Sequence, residues 1–303
     1  MGTSTSTLAT SSGHQVSSPA ALLFSTNDSV DGASETQQST NDSYIRSSSN
    51  MPATGGPMPF MHKPHDEILT TLDLNLLYYV AHELHDDRLA DIATKHARTL
   101  MQSHVRGDNS TWHVVNFDQD TAKIKRRMTN QGYSDDSCWA RGQAWGITGY
   151  AQTYGWTGDP RFLDMSCRLA DYFIDQLPDD HVPVWDFSRL QPGPKDTSAA
   201  LVAVYGMLLL HQHLHSNTNR YLSAALRILE GVLGTSMAAE ARFCDDEPGS
   251  ALGTINEGAE TIVLHATINN YEFAPRRFAD HGLVYADYYF LLIGNELLRM
   301  GIM

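Results

Sequence analysis

The feature that most constrains this chain is a helical period that recurs in pairs. From Asp66 onward, Leu69, Leu72, Leu76, Val80 and Leu84 follow one another at spacings of three and four, the mark of one apolar helix face. Asp66 stands where an N-cap belongs. After a short turn at His85–Asp87, a second stripe runs through Leu89, Ile92, Ala93, Ala97, Leu100 and Met101. The layout returns over 138–153 and 160–176, where Asp159 and Pro160 supply an N-cap and an N1 proline. Phe162, Met165, Leu169 and Phe173 mark the second helix of that pair. A third pair is predicted over 197–215 and 219–235, with Leu222, Ala225, Leu226, Leu229 and Leu233 on its second member, and a last helix over 281–299. Turns within pairs are short, whereas the links 105–137, 178–195 and 236–280 are long. Such an alternation predicts a helical toroid or solenoid whose long loops gather on one face and carry the function. Alternation in His113–Phe117 predicts one small strand; little else reads as sheet.

The period does not extend to the start of the chain. Residues 1–50 hold 21 Ser or Thr and a single basic residue, Arg46. Such a stretch cannot bury enough apolar surface to offset the entropy of ordering it. With the Pro/Gly/Met-rich linker Met51–Pro64 it predicts a disordered tail over 1–64, leaving 65–303 as the folded domain. The net charge of −14, from 35 acidic and 21 basic residues, argues against nucleic acid and anionic membranes as partners. It leaves room for a locally positive site. Cys138, Cys167 and Cys244 are too few and too scattered for a disulfide scaffold or a thiolate metal site. No run of 18 apolar residues predicts a membrane helix, and no secretory signal is visible, so the expected location is cytoplasmic.

Chemistry concentrates in Asn130–Trp145, NQGYSDDSCWARGQAW. Arg141 and Trp145 are four apart and share a helix face, with Trp139 just before them. Indole plates with one guanidinium suit a carbohydrate bearing a carboxylate, the ring stacking and the acid clamped bidentately. Core tryptophans beside a surface ion-pair arginine would give the same residues. Asp186, in Val182–Phe187, is open between structure and site, and Asp196 reads first as a cap for the helix that follows. Lys123, Lys125, Arg126 and Arg127 form a basic run, either an anion-attracting patch or a solvated one. His211 and His215 share a face without an acidic partner nearby, and no metal-site, P-loop, GxSxG or GxGxxG pattern occurs, so neither metal nor cofactor is expected.

These motifs resemble one family. Arg106–Asp118, Asn130–Ala151, Asp179–Phe187, the KDTSAA at Lys195–Ala200 and the ending Asn269–Gly301 are similar, in order and spacing, to glycoside hydrolase family 88, the unsaturated glucuronyl hydrolases. The resemblance covers about residues 66–303 and implies an all-α (α/α)6 toroid, here incomplete, with about seven helices of twelve after a disordered tail. It implies a partner, an oligosaccharide left by a polysaccharide lyase, with a terminal 4,5-unsaturated uronic acid. In that reaction the C4=C5 enol ether is protonated, water adds across it, and the hemiketal opens to release the sugar. His113, Thr129, Gln131, Trp139, Arg141 and Trp145 match substrate-contacting positions of the family. The acid/base Asp does not carry over. Its position aligns with Leu69, while Asp73 lies one turn later on the same face and is the candidate substitute. The other catalytic Asp belongs to a segment without counterpart. The expected function is therefore an unsaturated glucuronyl hydrolase-like protein of weak or lost activity, or alternatively a non-catalytic carbohydrate-binding pseudoenzyme or truncated fragment.

Overall fold

A computed structural model of the chain describes residues 73–118, 120–189, 193–214, 220–240, 242–244, 253–255 and 260–303, all within the unit Lys63–Met303. The expected tail 1–64, the Asp66 cap and Leu69 lie outside the described residues, as does His215.

Seven helices are present among the described residues: α1 (Asp73–Leu84), α2 (Asp87–Ser103), α3 (Ala140–Thr157), α4 (Pro160–Asp175), α5 (Thr197–Leu214), α6 (Arg220–Thr235) and α7 (Val284–Arg299). They form two layers, sorted by how apolar residues are distributed. In α2, α4 and α6 burial is confined to one stripe, as in Phe162, Met165, Leu169 and Phe173 of α4. Such helices need only one apolar neighbour and stay outside. In α5 every residue from Thr197 to Leu210 is buried, and α3 is nearly as enclosed from Ala140 to Ala151. These two form the centre of the inner layer, in which α1 packs on α3, α3 on α5 and α5 on α7, while α2, α4 and α6 back them. By length and composition α5 would suffice to cross a membrane, but it is the core helix of this unit, enclosed by its neighbours.

The turns inside pairs are closed by local chemistry. Asp86 caps α2 through the amide of Arg88, and Asp159 caps α4 through the amide of Arg161 at 3.1 Å. Gly158 ends α3 in the left-handed region (φ 64°), where its amide reaches the Tyr154 carbonyl at 2.8 Å. The inner helices approach closely where Gly206 of α5 meets α3. A Cβ there would stand 2.7 Å from Thr148 Oγ1 and 2.9 Å from the Thr148 amide nitrogen. Thr148 also donates its hydroxyl to the Val202 carbonyl at 2.7 Å.

Two expectations need correction. Sheet is more extensive than one strand: β1 (Val114–Phe117) pairs antiparallel with β2 (Ile124–Met128), and β3 (Arg242–Cys244) pairs with β4 (Gly253–Ile255). The basic run thus lies on a hairpin strand rather than a loop; exposure of its side chains from Ile124 to Arg126 hides the alternation that would announce a strand. The apolar stripes also differ from expectation. Leu76 and Leu84 of α1 are exposed, and α1 buries Leu74, Tyr78 and Ala81 instead; Ile92 of α2 and Leu233 of α6 are exposed too, and α6 buries Tyr221, Ala224, Ala225, Ile228, Leu229 and Val232.

Because α3, α5 and α7 each follow a long link, those links meet at the N-terminal ends of the inner helices. The Ala140 amide donates to the Trp185 carbonyl, and the Thr197 amide to the His265 carbonyl. Trp139 bridges to Asp186, and Val184 to Lys195.

Candidate functional site

The residues singled out around Asn130–Trp145 converge at that end. His113, on the residue before β1, is buried, and its ring lies 4.3 Å from the Trp139 ring, centroid to centroid. Thr129, just after β2, stands 2.8 Å from His113 Nδ1 and accepts the Gly132 amide at 2.8 Å. The Asn130 amide also points at His113 Nδ1, at 3.4 Å. Nδ1 is therefore the bare nitrogen, receiving the Thr129 hydroxyl proton, and Nε2 carries the hydrogen. Burial, with Arg141 and His104 adding positive charge, lowers the His113 pKa to about 3. The imidazole is neutral at physiological pH, a hydrogen-bonding and stacking group rather than a cation.

Trp139 occupies the N-cap position of α3 with extended backbone, and the Arg141 guanidinium carbon lies 4.5 Å from its ring centroid. Its Nε1 is buried with no hydrogen-bond partner. Gln131 is half-buried, and its carbonyl accepts the Trp185 indole N–H at 2.6 Å. Gly132 is required here for space: a Cβ would fall 2.7 Å from Thr129 Oγ1, 2.9 Å from Asp186 Oδ2 and 3.2 Å from the Trp139 Cβ.

Arg141 and Trp145 do share a face, and α7 answers them at the same spacing. The Arg141 guanidinium lies 5.5 Å from the Tyr285 ring, and the Trp145 ring 5.7 Å from that of Tyr289. Arg141 is neither a surface residue nor an open clamp. Its side chain is 2% exposed and that of Asp196 0%, and the two form an ion pair at 2.7 Å. Nη1 also donates to Ser198 Oγ and the Thr267 carbonyl, and Nη2 to the Ile268 carbonyl at 2.7 Å. Asp196 does stand immediately before α5, accepting the Ala199 amide at 3.4 Å, but its main partner is Arg141. The pair ties the starts of α3 and α5 to the segment leading into α7.

Asp186 resolves toward structure. Its Oδ2 accepts the Tyr133 amide and the Ser137 hydroxyl at 2.8 and 2.7 Å, and its Oδ1 accepts the Ser188 amide at 3.0 Å. Burial raises its pKa while these three donors oppose the rise. Asp73 is the first residue of α1. In the basic run, Arg126 pairs with Asp135 at 2.9 Å, and Arg127 lies 5.1 Å from the Trp112 ring, which Arg106 also approaches, at 3.8 Å. Among the described residues no group of His, Cys, Asp or Glu is arranged to hold a metal ion. Gly132, Trp185, Tyr285 and Tyr289 are the parts of this cluster that local sequence reading did not assign.

No protein-family model matches the chain. Individual relatives do. It is 32% identical over 224 residues to the unsaturated glucuronyl hydrolase of Formosa agariphila, covering 73% of this chain and 51% of that protein. It is 31% identical over 227 residues to the unsaturated chondroitin disaccharide hydrolase of Streptococcus pneumoniae, covering 73% and 52%. The crystal structure of the unsaturated glucuronyl hydrolase of Bacillus sp. GL1 superposes with a TM-score of 0.67 at 27% identity, covering 81% of this chain and 61% of that one. The chain thus spans about half the length of the curated relatives it matches. In sequence and in its two-layered helices, all-α and part of an (α/α)6 toroid, the chain belongs to the unsaturated glucuronyl hydrolase family.

Proposed function

We propose that the cluster at the mouth of α3 binds the terminal 4,5-unsaturated uronate of oligosaccharides released by polysaccharide lyases, and that the chain acts on that group by hydration. The observation that carries this reading is the close, tilted His113–Trp139 pair, held by Thr129 and Gly132, in a chain whose relatives carry the names unsaturated glucuronyl hydrolase and unsaturated chondroitin disaccharide hydrolase. Neutral His113 offers an Nε2–H to an acceptor oxygen of the sugar. Trp139 Nε1 is a second donor whose acceptor the ligand would supply. The partner is thus an unsaturated uronic-acid oligosaccharide.

In the reaction, a proton adds to C4 of the enol ether and the oxygen of one water bonds to C5, giving a hemiketal. The C5–ring oxygen bond then breaks, C5 becomes a ketone, and the hemiacetal left at C1 collapses to an aldehyde with departure of the linked sugar. One water is consumed overall. A carboxyl group must donate the first proton and accept one from the water. Asp186 and Asp196 are both occupied as acceptors, Asp186 by three donors and Asp196 by Arg141 and Ser198. The family resemblance leaves Asp73, at the start of α1, as the candidate for that role. Incubation with an unsaturated chondroitin disaccharide should abolish the ultraviolet absorbance of its C4=C5 bond, and Asp73→Asn should prevent that loss. Undiminished absorbance at high protein concentration defeats the catalytic reading.

The engagement of Asp186 and Asp196 favours a second reading in which the same cluster binds the sugar without turning it over. Saturable binding of the disaccharide together with unchanged absorbance would select it.

A further inference from the structure

The loop 129–135 leaves β2 on the way to α3 and carries Gln131 and Gly132 of the cluster. Pairing between β1 and β2 ends at Val114 and Met128, so the amide of Thr129 lies beyond the ladder and needs another acceptor. It finds a side chain six residues on, Asp135 Oδ1, at 3.0 Å. The other oxygen, Oδ2, accepts Arg126 Nη2 at 2.9 Å. One carboxylate thus closes the loop, end to end, and ties it to the strand it leaves. Three more bonds hold the loop from inside. The Gly132 amide donates to Thr129 Oγ1, the Trp185 indole N–H to the Gln131 carbonyl, and the Tyr133 amide to Asp186. The Asp135 clasp differs in lying at the surface: its side chain is 36% exposed and that of Arg126 59%. An ion pair so exposed contributes little to stability, because water screens it and two side chains lose freedom in forming it.

We propose that Asp135 is a positioning residue of the sugar-binding cluster: by clasping the Thr129 amide it aims the Thr129 hydroxyl at His113, and so holds His113 Nε2–H toward the ligand. The Thr129 hydroxyl has one hydrogen. Its oxygen already accepts the Gly132 amide, so that hydrogen goes to His113 Nδ1, 2.8 Å away. Thr129 is buried, and a buried amide stripped of its acceptor is costly, so the loop without Asp135 must turn that amide toward water. Oγ1 then leaves the line to Nδ1. The Asn130 amide cannot replace it, because at 3.4 Å its bond to Nδ1 is long and weak. Arg126 orients the carboxylate, drawing Oδ2 outward and leaving Oδ1 for the amide. The basic run is thereby divided by the alternation of the strand. Arg126 serves the clasp, whereas Arg127, on the opposite face, reaches Trp112 and the Ser103 carbonyl. The proposal rests on reading the cluster as a site for an unsaturated uronate, but the clasp itself can be observed without any sugar.

Asp135→Ala and Asp135→Asn in the full chain, labelled with nitrogen-15 at histidine, test it by two measurements. Asparagine keeps an oxygen for the Thr129 amide and drops the charge; alanine keeps neither. In the wild type the His113 Nδ1 resonance, assigned through His113→Asn, should be that of a bare nitrogen accepting a hydrogen bond. Asp135→Ala should move it toward the position of a free imidazole nitrogen. The same change should weaken calorimetric binding of an unsaturated chondroitin disaccharide by about fivefold or more, the effect of one hydrogen bond. The thermal midpoint should stay within about 4 °C of the wild type. Asp135→Asn should recover most of both the resonance and the affinity. A residue that only stiffened the fold would lower the midpoint and spare the resonance. An Nδ1 resonance that Asp135→Ala leaves in place overturns the proposal, as does an asparagine variant as weak as the alanine one. A resonance that responds as expected in a chain that binds no disaccharide overturns the uronate reading and not the clasp.

Discussion

Replacing Asp196 with alanine should be among the most damaging single changes in this molecule. The carboxylate is fully enclosed and meets a guanidinium that is 2% exposed, at 2.7 Å. Three further oxygens, Ser198 Oγ and the carbonyls of Thr267 and Ile268, complete the Arg141 shell. Asp196→Ala removes the only one of these four that carries a full negative charge and leaves a buried cation uncompensated, a loss of about 3–5 kcal/mol. The Ala199 amide loses its cap as well, adding up to about 1 kcal/mol, because at 3.4 Å that bond is long. For a domain of this size each kcal/mol moves the thermal midpoint by roughly 2–4 °C, so a drop of about 6–24 °C is expected. Urea unfolding of wild type, Asp196→Ala, Arg141→Met and the double variant supplies the cycle. The double variant should recover part of the single loss, since removing both charges is far less costly than stranding one. A loss below about 1 kcal/mol for Asp196→Ala, or strictly additive singles, would refute the idea that this pair joins the starts of α3 and α5 to the segment before α7.

Three further outcomes follow from the same structure. Gly206→Ala drives a methyl to within 2.7 Å of Thr148 Oγ1 and 2.9 Å of its amide, so overpacking should cost about 1–3 kcal/mol by urea unfolding. Burial lowers the pKa of both His104 and His113 from 6.5 to about 3, so below the unfolded value the unfolded chain binds the protons. Stability should accordingly fall as the pH drops from 6.5 toward 3, by up to about 1.4 kcal/mol per unit per histidine, and His113→Asn should shallow that slope. Gly132→Ala crowds Thr129, Asp186 and Trp139 together, so it should cost about 1–3 kcal/mol by urea unfolding and lower disaccharide affinity at least tenfold, about 1.4 kcal/mol.

The parts of this fold that could be read from the chain are those fixed by local signals. The α3–α4 turn is written in Gly158, Asp159 and Pro160, and the buried stripe of α4 in four residues at helical spacing. The fate of Arg141 was not legible, because its partners Asp196 and Thr267 lie 55 and 126 residues away and nothing near Arg141 announces them. β2 was hidden because its side chains from Ile124 to Arg126 are exposed, so no apolar period marks it. The site fell between these cases. Trp139 stands out by residue type and His113 and Thr129 by resemblance, and the structure brings them together. The space that makes Gly132 necessary and the platform formed by Trp185 and Asp186 exist only after segments some fifty residues apart have met.

The central claim is that the His113–Trp139 cluster recognises an unsaturated uronyl sugar, and calorimetric titration of the full chain with an unsaturated chondroitin disaccharide tests it most directly. Saturable binding is predicted, weakened at least tenfold (about 1.4 kcal/mol) by His113→Ala. Heat no different from that of dilution, or binding that His113→Ala leaves untouched, would contradict it.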